Sequence, residues 1–200
     1  ATSVYLVDRT IPMLPERLCN FICSLRPDEE KLAYSVIFEM NDEADIKRWH
    51  LAHTVIKSNR RYAYEEVQQI LEDNGVVDGT GEPAPAAPVD GYKGENAALL
   101  IQLDKLAKAL RKQRFKNGAV KFDREELHFD IDEKGKPTRC YFKKSKDANK
   151  LIEEFMLIAN RTVAESIGRV KKGAKAKTLP YRIHDQPDPT KLETLRQFVV

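Results

Sequence analysis

An α+β fold, a mixed β-sheet packed by helices, is what the order of patterns along this 200-residue chain predicts. Three stretches carry the expectation. Residues 32 to 40 (LAYSVIFEM) alternate, placing Leu32, Tyr34, Val36, Phe38 and Met40 on one side, the period of a half-buried strand. Residues 147 to 170 set Leu151, Ile152, Phe155, Ile158, Ala159, Val163, Ile167 and Val170 on a broad helical face. Between them, GAVKF, LHFDI and CYF read as further short strands, the last two joined by the turn residues Glu133 to Lys136.

The chain begins differently. Residues 11 to 15 (IPMLP) carry two prolines, which fix φ and remove backbone donors, so this apolar segment is neither helix interior nor central strand. A short helix follows through Cys19 and Cys23. NDEAD (41–45) supplies the turn after the first strand, and IKRWHLAHTVIKS returns with Trp49, Leu51, His53 and Val55 aligned, completing a hairpin. EEVQQILEDN (65–74) is a helix stopped by Gly75, with Val67, Ile70 and Leu71 at helical spacing.

Residues 78 to 93 (DGTGEPAPAAPVDGYK) hold little to bury and are expected to form a mobile surface loop. A helix from Glu95 to about Arg114 presents Ala98, Ile101, Leu106, Ala107 and Leu110, its basic residues gathered toward the C-terminal end of the macrodipole. LPYRIHDQPDP passes through a strand at Tyr181 and Ile183 to Asp188 as N-cap and Pro189 as first helical residue. The final helix ends on Phe198, Val199 and Val200, and the start, ATSVYLVD, reads like protein interior. Both ends lead us to expect a fragment of one domain, residues 1–200.

A chain that is 42% hydrophobic and 32% charged has enough apolar residues for a sizeable core. No apolar run approaches the ~18 residues of a membrane span and no signal-peptide pattern is seen, so a cytosolic location is expected. Three scattered cysteines exclude a disulfide scaffold, and no zinc spacing completes them. The net charge of +3 is small, but its distribution is uneven. Lys57, Arg60 and Arg61 cluster, Lys105 to Lys116 holds six basic residues, and Arg169 to Lys177 adds five. Such runs are either solvated faces or an electrostatic footprint for nucleic acid.

The sequence lacks phosphate-binding glycine patterns and a serine-nucleophile elbow. Metal-assisted phosphodiester chemistry needs converging carboxylates. Asp130 and Asp132 fit turn chemistry instead, and of Glu153 and Glu154, about 100° apart on their helix, only Glu153 borders the apolar face. His50, His53, His128 and His184 show no ligand spacing. Aromatic rings beside cations, at Tyr5, Tyr62, Tyr64 and Phe122, suit the stacking and phosphate neutralisation of a single-stranded RNA channel. Each ring is equally a candidate for core filling.

VYLVDRTIPMLPERLCNFICSL, IKSNRRYAYEEVQQIL, FDREELHFDI, ANKLIEEFMLIANRTVAESI and YRIHDQP together resemble, in order and spacing, the RNB catalytic domain of ribonuclease R in the ribonuclease II superfamily. The resemblance implies a magnesium-dependent, processive hydrolase that shortens single-stranded RNA from its 3′ end. It implies that Tyr5, Tyr64 and Phe122 are substrate-binding rings and that Glu153 contacts the RNA end. The metal-binding aspartates and the catalytic arginine of the family fall outside the matching motifs. The chain by itself is therefore expected to carry channel residues, to hold no Mg2+ and to be inactive. IPMLP becomes a covering segment anchored by Ile11, Met13 and Leu14 that steers Tyr5 toward RNA. Without the resemblance, the same residues fit a noncatalytic RNA-binding module or a protein-interaction domain.

Overall fold

A computed structural model describes residues 3–7, 9–86, 91–120, 125–170, 173–175, 177–180, 183 and 185–199. The chain divides into two compact units, Ala1–Val163 and Ala164–Val200. In the first, β1 (Val4–Tyr5) and β2 (Thr10–Ile11) form a small antiparallel hairpin, followed by a π-helical turn, Arg17–Ile22. Strands β3 (Glu30–Met40) and β4 (Ile46–Lys57) make a long hairpin, and α1 (Tyr64–Asp73) leads to α2 (Ala97–Lys116). Strands β5 (Glu125–Ile131) and β6 (Pro137–Lys144) form a third hairpin before α3 (Asp147–Gly168), whose last turn lies in the second unit. That unit ends in α4 (Pro189–Val199).

The class is α+β, as expected, with one correction to its detail. The described strands pair as three separate antiparallel hairpins rather than one mixed sheet. A parallel contact occurs at the bridge between Pro27 and Ser58.

Two apolar clusters organise the first unit around α2. Ala44, Leu110 and Ile158 form one, with Phe38, Met40, Ile46, Leu106, Ala109 and Phe155 packed on it. The tip of the β3–β4 hairpin thus sits on α2, fastened by Gln113 Nε2 donating to the Glu43 carbonyl at 3.1 Å and Gln102 Nε2 to Asp42 Oδ1 at 3.1 Å. The other cluster, Leu71, Val76 and Ile101, takes up Val67, Ala84 and Tyr92. The loop after α1 therefore packs more than its composition implies. Its ends are tied as well: Asn74 Oδ1 accepts from the Lys93 amide, and Asn74 Nδ2 donates to the Lys93 carbonyl, both at 2.8 Å.

Helix α1 ends as the sequence predicts. Gly75 has φ +85°, its amide bonds the Glu72 carbonyl, and the Val76 amide reaches back to Leu71. This left-handed termination satisfies two otherwise orphaned carbonyls, and Val76 meets Leu71 in the core.

The strand pattern is right about faces and only partly right about burial, since Phe38 and Met40 pack into the core at the turn end. Leu32 opposes Val55, Tyr34 opposes His53, Val36 opposes Leu51 and Phe38 opposes Trp49. Yet Leu32 is 87% exposed, and Val55, Tyr34 and Trp49 are exposed too. Packing on α2 reaches only the turn end, beyond which the apolar face meets no partner among the described residues. A similar correction applies at the start of the chain. Ile11, Met13 and Leu14 are exposed, so among the described residues they do not anchor IPMLP. The Met13 amide instead donates to Ser3 Oγ at 3.3 Å.

Of the strand expected at GAVKF, residues 118–122, Gly118, Ala119 and Val120 are described and lie in no strand, Gly118 turning the chain with φ +91°, while Lys121 and Phe122 lie outside the described residues, as does Tyr181. Ile183 is described, lies in no strand and is 86% exposed. Cys19, Cys23 and Cys140 are free, as their spacing predicts.

Candidate functional site

Beside the apolar contact of Leu110 with Ile158, charged side chains of α2 and α3 meet in two successive clusters. The first surrounds Lys108. Its Nζ lies 2.7 Å from Asp104 Oδ2 and 3.2 Å from Asp147 Oδ2, with all three side chains nearly excluded from solvent. Among the described residues Asp147 Oδ2 receives no aligned hydrogen bond, so Lys108 reaches it chiefly as a neighbouring charge. A small cavity of ≈ 70 Å³ lies here, lined in part by Gly79, Asp104, Lys108 and Asp147. Burial pushes the Asp104 carboxyl up from its ordinary value, and Lys108 only partly offsets that. Burial pushes Asp147 up as well, but Lys108, Lys150 and the Gly79 amide outweigh it and hold Asp147 below the usual range.

These contacts fix where α3 begins. The Asp147 amide donates to Asp78 Oδ1 at 2.9 Å and the Ala148 amide to Gln68 Oε1 at 3.0 Å. First-turn amides have no intrahelical acceptor, so α1 and the loop after it supply them. Helix α1 thereby lies against the start of α3, with Lys146 paired to Glu72 at 3.1 Å and Lys143 to Glu65 at 2.8 Å.

The second cluster lies between α2 and the middle of α3. Arg114 Nε donates to Glu154 Oε2 at 3.1 Å and its Nη2 to Glu154 Oε1, while the same Nη2 donates to Glu153 Oε1 at 3.0 Å. Arg111 Nη1 adds a bond of 3.4 Å to Glu154 Oε1. Both guanidinium groups stack on Phe115, 5.0 and 5.2 Å from its centroid. The Glu154 hydrogen bonds raise Arg114 above its ordinary value.

Here the structure corrects the sequence reading. Glu154, at 3% exposure, continues the buried row of Leu151 and Ile158, while Glu153 is half exposed. Adjacent carboxylates on a helix diverge, but a long arginine spans both. Glu154 was detectable from its three- and four-residue spacing to Leu151 and Ile158. Its arginine partners were not, because they depend on how α2 sits against α3.

The other candidate residues stand on separate elements. Tyr5 is 79% exposed in β1, opposite Thr10. Tyr64 is the exposed first residue of α1. Phe122 lies outside the described residues. Among the described residues, no hydrogen bond, ion pair or ring contact joins Tyr5, Tyr64 and Glu153. Tyr62 is locked instead, with Arg60 over its ring at 4.6 Å and Asn96 Nδ2 donating to its hydroxyl at 2.7 Å. Arg60 is itself held by Glu66 and Glu95.

The described carboxylates do not fit a magnesium ion. Asp104 and Asp147 face Lys108, Glu153 and Glu154 face the two arginines, and Asp132 Oδ1 accepts turn amides from Lys134 and Lys136 at 2.9 Å. No group of three or more His, Cys, Asp or Glu able to hold a metal occurs among the described residues. No helix among them is long and apolar enough to cross a membrane.

The RNB domain model matches residues 1–199. The chain is 44% identical over 171 residues to DIS3-like exonuclease 2 of Schizosaccharomyces pombe, covering 84% of this chain and 18% of that protein. Ribonuclease R of Thermotoga maritima is 36% identical over 201 residues, covering 99% and 26%. The solved Mycoplasma genitalium RNase R in complex with double-stranded RNA matches at a TM-score of 0.77 with 27% identity, over 99% of this chain and 32% of that one. The chain thus spans about a fifth to a quarter of the curated relatives it matches. The hairpins and helices share the fold of this solved relative, and the chain belongs to the RNB-domain family.

Proposed function

We propose that this chain is the RNA-guiding part of a processive 3′-to-5′ exoribonuclease that hydrolyses single-stranded RNA to nucleoside monophosphates in the cytosol. The observation that carries the proposal is a half-exposed carboxylate, Glu153, on a helix pinned at its start, in an RNB chain that also leaves the rings of Tyr5 and Tyr64 exposed. Mycoplasma genitalium RNase R has been solved with single-stranded and with double-stranded RNA, which supports RNA as the ligand.

In this reading the rings of Tyr5, Tyr64 and Phe122 stack on bases, which is tolerant of sequence. Glu153 accepts hydrogen bonds from the terminal ribose hydroxyls and repels an end that carries a phosphate. The magnesium expected in such an enzyme supplies activation of the attacking water. Since the described carboxylates do not fit that ion, no step of hydrolysis is assigned to them, and the chain alone binds RNA without cutting it.

Fluorescence anisotropy with labelled oligo(A) tests this. Replacing Tyr5, Tyr64 or Phe122 with Ala removes about 1–3 kcal/mol of stacking, a loss of roughly 5- to 150-fold in affinity. Unchanged affinity in all three variants contradicts the proposal, and so does shortening of the oligonucleotide by the chain alone.

A further inference from the structure

Glu154 is buried, and it takes most of what Arg114 can donate. The guanidinium closes on it as a fork, through Nε and Nη2, and only Nη2 extends a second bond to Glu153 Oε1. Glu153 Oε2 lies 3.8 Å from Arg111 Nη1, beyond hydrogen-bond reach. One oxygen of Glu153 is thus fixed, and the other receives no hydrogen bond among the described residues. Arg111 is occupied in the same way, since its hydrogen bond goes to Glu154.

A fork that loses its carboxylate seeks another, and Glu153 is the adjacent one. Removing the charge of Glu154 would turn Arg114, Arg111 or both onto Glu153 and fill both of its oxygens. From this geometry we infer that Glu154 is a positioning residue for recognition of the RNA 3′ end. By holding the arginine fork, it limits Arg114 to one oxygen of Glu153 and leaves the other open to the terminal ribose hydroxyls. The inference rests on the proposed role of Glu153 and adds the device that keeps Glu153 able to perform it.

The experiment compares two labelled oligo(A) strands of equal length, one ending in a 3′ hydroxyl and one in a 3′ phosphate, bound by the 200-residue chain. The unmodified chain prefers the hydroxyl end by about tenfold or more, the scale of a hydrogen bond to a charged group. Glu153→Gln abolishes the preference. Glu154→Gln lowers it severalfold while affinity for the phosphate-ended strand stays within about twofold. Glu154→Asp, which keeps the charge, restores part of it, and Glu154→Gln has no further effect once Glu153 is Gln. Should Glu154→Gln fail to fold, Arg114→Lys serves instead: an ammonium cannot close as a fork on Glu153, so the preference is retained or strengthened, and its loss overturns the inference. A reduced melting temperature with the end preference intact overturns the inference, leaving Glu154 a structural ion pair. RNA binding without any end preference in the unmodified chain overturns it as well, while the RNA-guiding reading stands. Absence of binding overturns both.

Discussion

Lys108 stands between two buried carboxylates that respond to it differently. Asp147 is held below its ordinary value, so its contribution to stability is present above the unfolded carboxylate value and is lost as pH falls through the folded one. Asp104 is raised, so its charge costs stability above the folded value, and that cost disappears as pH falls through it. Lys108→Met leaves Asp104 buried without a cation and Asp147 with Lys150 alone, which costs about 3–5 kcal/mol at neutral pH. The cost is relieved as both protonate, so the gap in melting temperature between the parent chain and the variant narrows from pH 7 toward pH 4. A gap that stays constant across that range contradicts this pairing. At this scale the sequence was informative where spacing alone decides. Asp132 behaves as a turn residue and Asp188 as an N-cap, its Oδ1 accepting the Thr190 amide at 2.8 Å. Asp104 was not recognised, because a carboxylate on an otherwise apolar face is interpretable only once Lys108 and Asp147 are seen beside it.

Elements were legible when their signals are local. The end of α1 at Gly75 depends on the sign of one dihedral, and α2 and α3 show helical periodicity over about five turns or more. Gly75→Ala tests the first directly. The left-handed φ costs an L-residue about 1–2 kcal/mol, and the new Cβ would stand 2.9 Å from Pro85 Cγ. A loss of that size in urea denaturation is expected, and a neutral substitution would show that the turn after α1 is not held as described. The β3–β4 hairpin shows the opposite limit. Alternation identifies which residues share a face, but it cannot identify what covers that face. Leu32 and Val55 pair across the strands and remain exposed. Burial of a sheet face depends on the register of other elements against it, and α2 reaches only its turn end.

For the molecule as a whole, the basic runs mean less than their length implies. Lys108, Arg111 and Arg114 belong to one run of six, and all three are paired with carboxylates of α2 or α3. Arg60 is paired too. Lys112 and Lys116, exposed on α2, are better placed to meet phosphates. Replacing each with Gln should flatten the dependence of log K on log salt by about 0.7 for every phosphate that is no longer neutralised. An unchanged slope would move the electrostatic contribution to the basic residues after α3. The family was legible from ordered motifs, whereas the α2–α3 ion pairs became visible only with the fold.

If the chain guides RNA as proposed, the strand meets it at Tyr5, Tyr64 and the Glu153 region of α3. Photocrosslinking with an oligonucleotide carrying 4-thiouridine at its 3′ end, mapped by mass spectrometry, locates that contact directly. Crosslinks are expected at Tyr5, Tyr64 and the segment around Glu153, all competed away by unlabelled single-stranded RNA. Crosslinks confined to residues 169–177 or to α4, with none on β1, α1 or α3, would contradict the RNA-guiding role.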